Sequence, residues 1–176
     1  MKIINENKYR FFIIFAALTA WSFNLFAQQP VGTEFYGEWL FDNAQAQERL
    51  LNSQKDYSVR NVSQDEFWQK VYFLNMPIQI FFMDEYLTHI THPSWSKPVV
   101  ALINDGKLEF RIFQEDPARD YDKKMDISEI HLYPTMMPVY DINLNGNQLS
   151  LQCNYIYPDE QGNYIEGILT INYKRN

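Results

Sequence analysis

Ile165-Glu166-Gly167-Ile168-Leu169-Thr170-Ile171-Asn172-Tyr173, close to the end of a 176-residue chain, decides the fold. Ile165, Gly167, Leu169, Ile171 and Tyr173 fall on one face, opposite Glu166, Ile168, Thr170, Asn172 and Lys174. Successive side chains of a strand point to opposite faces, so a period of two marks a strand with one face buried. The same alternation runs through residues 149–157, through 108–113, and through 35–41, where Phe35, Gly37, Trp39 and Phe41 share a face.

The joints between these stretches carry turn chemistry. Asp105-Gly106 lies between 101–104 and 107–113, and Asn145-Gly146 lies between 139–144 and 147–157. Both pairs tolerate the positive φ that a type I′ turn needs at its two central residues, so both predict tight hairpins. Residues 158–163 form a longer loop containing Gly162. Two extended pieces in 78–92, broken near Asp84 and Glu85, and another in 97–103 extend the count. Residues 44–51 are ambiguous between helix and strand and are read as strand. About eight to ten antiparallel strands result, a number that suits a closed barrel or a sandwich; the expected class is all-β, an up-and-down antiparallel barrel.

One segment breaks the pattern. Ser63-Gln64-Asp65-Glu66 is a capping box, and Phe67, Val71 and Leu74 follow at helical spacing, which predicts one short helix near residues 64–75, stopped by Pro77. Ser63 is expected to accept from the N–H of Glu66, whose carboxylate reaches back to Ser63. Trp68 and Tyr72 widen the apolar stripe, so the helix is expected against the domain or across an opening in it.

At the N-terminus, Lys2, Lys8 and Arg10 precede the apolar block 11–18, and the small Ala27 follows, which is the pattern of a secretory signal cut before Gln28. A retained anchor over 11–27 competes with this reading, weakened by Thr19, Ser22 and Asn24. The expected organisation is a signal peptide at 1–27, a short leader at 28–33, and a single domain at 34–176, since no linker rich in Pro, Gly or Ser divides the remainder. Removing 1–27 takes away three basic side chains and Glu6, leaving 12 basic against 21 acidic and a formal charge of −9. Such a surface repels phosphates, so nucleic acid is not an expected partner. The expected location is periplasmic or extracellular, with no integral membrane span after cleavage. Cys153 cannot form an internal disulfide and lies on an apolar face, as a buried small group does.

No catalytic set emerges. His89 and His92, three apart on a strand, point to opposite faces and cannot share a metal there. His131 stands apart. The acidic residues Glu115, Asp116, Asp120, Asp122, Asp126 and Glu129 lack the spacing of a calcium loop and alternate with Arg119, Lys123 and Lys124. Nucleophile elbows, phosphate loops and dinucleotide fingerprints are missing from the sequence. Catalytic residues, metal ligands and cofactors are therefore not assigned, and no enzymatic activity is expected. Phe35, Trp39, Phe82, Phe110, Tyr155 and Tyr173 are the candidate inward-facing rings, either lining a ligand cavity or filling it. Trp68, Trp95 and residues 133–138 are candidates for a sugar-stacking or protein-docking face.

Gly37-Glu38-Trp39 on the first strand and Tyr173-Lys174-Arg175 on the last, in an exported chain of meandering strands, resemble the lipocalin-like (calycin-type) barrels. Lipocalins open with a Gly-x-Trp motif whose tryptophan closes one end of the barrel, and a basic residue of the last strand packs across that indole. The resemblance spans 32–175 and implies these roles for Gly37, Trp39 and Arg175, or Lys174 in place of Arg175. The chain departs from the pattern in having no Thr-Asp-Tyr segment, no cysteine pair, and a helix in mid-chain. The Phe26-Ala27-Gln28 cut and the aromatic, asparagine-rich style are similar to small exported lipocalin-like proteins of Bacteroidetes. The implied function is non-enzymatic binding of a small apolar or amphipathic ligand in the barrel interior. The alternative is a solid barrel acting as a protein or glycan interaction module at the cell envelope.

Overall fold

A computed structural model describes residues 29–51, 57–114, 130–159 and 161–176; the expected signal segment and the acidic stretch 115–129 lie outside the described residues. Among the described residues ten strands are formed: β1 (Gly37–Leu50), β2 (Ser58–Asn61), β3 (Gln79–Phe82), β4 (Leu87–His92), β5 (Trp95–Asn104), β6 (Lys107–Phe113), β7 (Leu132–Pro134), β8 (Tyr140–Asn145), β9 (Gln148–Pro158) and β10 (Tyr164–Arg175). All pairings are antiparallel and most strands pair with the next in sequence, but β3 pairs back with β1 past β2, β8 pairs with β6 past β7, and β10 pairs with β1, so the sheet closes in a ring. The single α-helix of the described residues, α1 (Gln64–Leu74), lies in sequence between β2 and β3. No helix there is long and apolar enough to cross a membrane.

The ring is tighter in one half than in the other. One edge of β1 is shared by β3, against residues 37–40, and by β2, against residues 45–48. One edge of β6 is likewise shared by β8, at residues 107–108, and by β7, at residues 111–113. On its β8 side, β9 is paired only as far as Gln152. The half of the barrel holding the ends of β1 and β9 is thus the loosely paired half, and α1 packs there.

The ambiguity of residues 44–51 resolves as strand through a β-bulge. Phe41 pairs with Tyr173 and Asn43 with Asn172, leaving Asp42 as an extra residue. Before the bulge Trp39 points inward; after it Ala44 and Ala46 do. An extra residue resets a period-two pattern, so one strand buries odd positions and then even ones.

A single cluster fills the ring. Trp39, Ile80, Phe82, Ile90, Phe110, Tyr140 and Tyr173 all belong to it and are fully buried. Phe35 lies in a 3-10 turn (Thr33–Phe35) rather than on β1, and its carbonyl accepts the indole N–H of Trp39 at 2.7 Å. The strand starts only at Gly37, whose φ of +116° is a conformation side chains rarely allow. Arg175 lies opposite Trp39 in register, its guanidinium carbon 4.6 Å from the ring centroid, and it also donates to the carbonyl of Glu34. A cation over an indole is worth about 0.5–1 kcal/mol when exposed. The chain ahead of this turn is already part of the fold: Gln29 bridges to Ile103 and Val31 is buried. A smaller cluster, Leu87, Val100 and Leu102, is covered by Phe113, Ile130 and Leu132, so β5 is buried on both faces.

Three local expectations need correction. The Ser63 oxygen accepts from Glu66 N–H at 3.3 Å, but the Glu66 carboxylate turns to Arg60 rather than back to Ser63, because a charged donor outcompetes a backbone amide. Tyr72 is exposed, so it does not join the buried stripe of Phe67 and Val71. In the second hairpin Asn145 pairs with Gln148, which makes Gly146-Asn147 the central pair with positive φ at Gly146 alone. Asp105 and Gly106 both have positive φ, as a type I′ turn needs.

If the Trp39 ring closes the core, Trp39→Ala lowers stability by about 3–5 kcal/mol. Urea unfolding measures this, and a loss below about 1 kcal/mol contradicts the central role of that ring.

Candidate functional site

The loosely paired half of the barrel holds a cluster of charge that nothing in the β1 sequence announces. After the bulge Glu48 follows Ala44 and Ala46 on the inner face, and its side chain is only 11% exposed. Its Oε1 accepts from the Tyr155 hydroxyl at 2.5 Å, from Lys70 Nζ at 3.1 Å and from the Tyr157 hydroxyl at 3.2 Å. Its Oε2 accepts from Arg60 at 2.6 and 3.1 Å. Arg60 also donates to both oxygens of Glu66 at 2.5 Å, and Lys70 lies 3.5 Å from Glu66. Two carboxylates therefore face two cations.

Lys70 sits on the apolar stripe of α1, between Phe67 and Val71, and is buried. Its ammonium lies 4.3 Å from the Tyr155 ring centroid and 4.7 Å from that of Tyr157, and the two rings stack with centroids 5.8 Å apart. Gly167, opposite Tyr155 on β10, makes room for this arrangement: a Cβ there would collide with the Tyr155 ring and hydroxyl.

Burial pushes the Glu48 carboxyl up, but hydrogen bonds from Tyr155 and Arg60 and the charge of Lys70 outweigh it and hold it at about 2, against a usual 4.5. Burial and the bond to Glu48 raise the Tyr155 phenol, and burial with the neighbouring Glu48 charge raises that of Tyr157. Burial alone pushes the Cys153 thiol up to about 12. The carboxylate is thus kept ionised, while the phenols and the thiol are kept neutral.

Beside this cluster, Glu66, Gln69, Lys70, Phe73 and Leu74 of α1 face Tyr155, Tyr157 and Pro158 of β9 across a cleft of about 360 Å³. Phe73 on its rim is exposed. Small-molecule sites run from about 300 to 1,000 Å³ and combine apolar walls with a few placed polar groups.

The six candidate rings divide. Phe35, Trp39, Phe82, Phe110 and Tyr173 pack in the buried cluster, with Phe35 and Phe82 at 5.6 Å and the Tyr173 hydroxyl donating to the Pro77 carbonyl at 2.7 Å. Tyr155 alone also lines the cleft. Trp68 is half-buried against Phe67, and Trp95 stacks on His92 with centroids 5.2 Å apart. His92 is buried in that stack, its Nδ1 accepting from Ser94 N–H at 3.1 Å. His89 lies on the opposite face of β4, and Asp84 accepts from the N–H groups of Tyr86 and Leu87 in the preceding loop. His131 is exposed, edge-on to Tyr133. Among the described residues no group of three His, Cys, Asp or Glu is placed to hold a metal ion.

Sequence reasoning missed Glu48, Arg60, Lys70 and Tyr157. Lys70 had a signal: it occupies the i+3 place of the stripe Phe67, Val71, Leu74. Glu48 had none, because its inward phase depends on the bulge. Comparison of the chain with protein-family models, with curated proteins and with solved structures gives no match, so the site is read from its own geometry.

A carboxylate with a depressed folded-state pKa stabilises fully above its unfolded value and loses that contribution as pH falls through the folded one. Glu48 therefore supports the fold above about pH 4.5 and stops doing so as pH falls toward about 2. Glu48→Gln is expected to cost on the order of 2 kcal/mol at pH 7 and to flatten the acid loss of stability between pH 5 and 2. Urea midpoints across that range check it; an unchanged slope contradicts it. Gly167→Ala is expected to cost about 1–3 kcal/mol through overpacking. In a Tyr155→Ala background that cost falls below about 0.5 kcal/mol, which a double-mutant cycle of unfolding free energies measures.

Proposed function

We propose that this chain is an exported lipocalin-like barrel that binds a small, uncharged amphipathic molecule without transforming it, at the open end rather than in the interior. The observation that carries the reading is the division of space. Trp39, Phe82, Phe110, Tyr140 and Tyr173 are packed to full burial, whereas the 360 Å³ cleft between α1 and β9 is open. Apolar wall comes from Phe73, Leu74 and the stacked tyrosine rings, and hydrogen-bonding capacity from Gln69 and the acceptor side of the half-buried Tyr157 hydroxyl. With two acids paired to two bases, the cleft attracts no ion by net charge, so apolar burial dominates the affinity.

The protonation states support binding over catalysis. A general acid or base works best with a pKa near the operating pH, and Glu48 at about 2 and Cys153 at about 12 are far from it. The Gly37, Trp39 and Arg175 arrangement at the other end supports the lipocalin-like reading, since it has the tryptophan and the packed cation that the resemblance implies. Export to the periplasm or the exterior remains part of the proposal, on the charged and apolar pattern of residues 1–27.

The uncharged fluorophore N-phenyl-1-naphthylamine probes the cleft. Its emission is expected to rise on binding, and Phe73→Asp, at an exposed rim position, is expected to weaken binding about tenfold. Equal affinity in wild type and Phe73→Asp, or no rise in emission at all, contradicts the proposal.

A further inference from the structure

Helix α1 separates two depressions, and the second has different chemistry. On the side away from β9, a groove of about 680 Å³ runs along the bulge of β1, the end of β2 and the first turns of α1. It opens where β2 leaves the edge of β1 and β3 has not yet begun. Its apolar surfaces are the half-buried indole of Trp68 and the ring of Phe41, which is fixed by stacking on Phe67 at 3.9 Å with 15° between planes. Its polar surface is nearly all primary amide: Asn43 and Gln45 on β1, Asn61 on β2 and Gln64 at the start of α1. The Asp42 carboxylate, at the bulge, is held by Lys174 Nζ and the Asn43 amide, both at 2.6 Å.

We propose that this groove is a carbohydrate-binding site, specific for uncharged sugar chains. Each amide offers donors and an acceptor at any pH, which matches the paired donor and acceptor character of adjacent sugar hydroxyls. Aromatic faces provide flat apolar contact for the C–H surface of a pyranose ring. Gln45 and Asn61 have capacity to spare, since they meet only at 3.4 Å and both are exposed, whereas Asn43 donates to Asp42 and accepts from Asn172. No lysine or arginine lines the groove and Asp42 does, so phosphorylated or sulfated chains are disfavoured. A wholly apolar ligand would strip water from the amides without replacing its hydrogen bonds. The bulge contributes the geometry, since it takes Asp42 out of regular pairing at the edge of the groove.

The site is independent of the cleft between α1 and β9 and is tested by a different readout. Native gels containing soluble starch, barley β-glucan, yeast mannan, birchwood xylan or arabinogalactan are run with the full chain and its variants. The wild-type protein is expected to be retarded by at least one of these polysaccharides. Trp68→Ala, and separately the exposed pair Gln45→Ala with Asn61→Ala, are expected to weaken that retardation at least about tenfold. Phe73→Asp, on the far side of the helix, leaves it unchanged. The amide pair serves as the second arm because Trp68 also touches the core. Absence of retardation by every polysaccharide overturns the proposal, as does retardation that neither groove variant reduces.

Discussion

The arrangement of this protein depends on one extra residue in one strand. β1 has to present Trp39 to one end of the barrel interior and Glu48 to the other, and the two are nine positions apart, an odd offset. In a regular strand they would face opposite ways. The bulge at Asp42 resolves the conflict, and with it the closing register against β10 changes from Phe41–Tyr173 to Asn43–Asn172. Without that step, either the tryptophan or the carboxylate would lie on the outer surface. The same irregularity falls between the stretch of β1 that pairs with β3 and the stretch that pairs with β2.

The helix is then secured by charge as much as by apolar contact. Glu48 reaches α1 through Lys70, β2 through Arg60 and β9 through two tyrosine hydroxyls, so one carboxylate ties together three elements distant in sequence. A buried pair of this kind contributes little net energy beyond what apolar side chains of equal size would supply, because desolvation offsets attraction. Removing a single member is different, since it strands an opposite charge out of water. The network is therefore better understood as fixing where the helix sits than as the source of stability, which comes from the packed rings.

That packing also decides where open space is left. Eight strands form the closed circuit, with β2 and β7 pairing beside it on β1 and β6. A ring of about eight is just wide enough for side chains or for one small ligand, and here large aromatic residues occupy the middle. The open depressions lie instead in the loosely paired half, on either side of α1. One side of the helix faces stacked tyrosines and a paired charge cluster; the other faces an amide-lined groove. A single helical insertion thus creates two surfaces of different chemistry from one incomplete closure.

The sequence by itself determined most of the long strands, though not the short β2 and β7, together with the hairpin at Asp105-Gly106, the helix and its serine cap, and the inward set of Trp39, Phe82, Phe110 and Tyr173. Each of these follows from periodicity or from the backbone preference of one or two residues, which are local properties. It did not determine the inward turn of Glu48, the diversion of Glu66 to Arg60, or the burial of Lys70 and His92. Those outcomes depend on register and on which side chains arrive from other strands. A bulge shifts register at little local cost, so its position is chosen by the whole closed sheet, and only the tertiary structure could decide it.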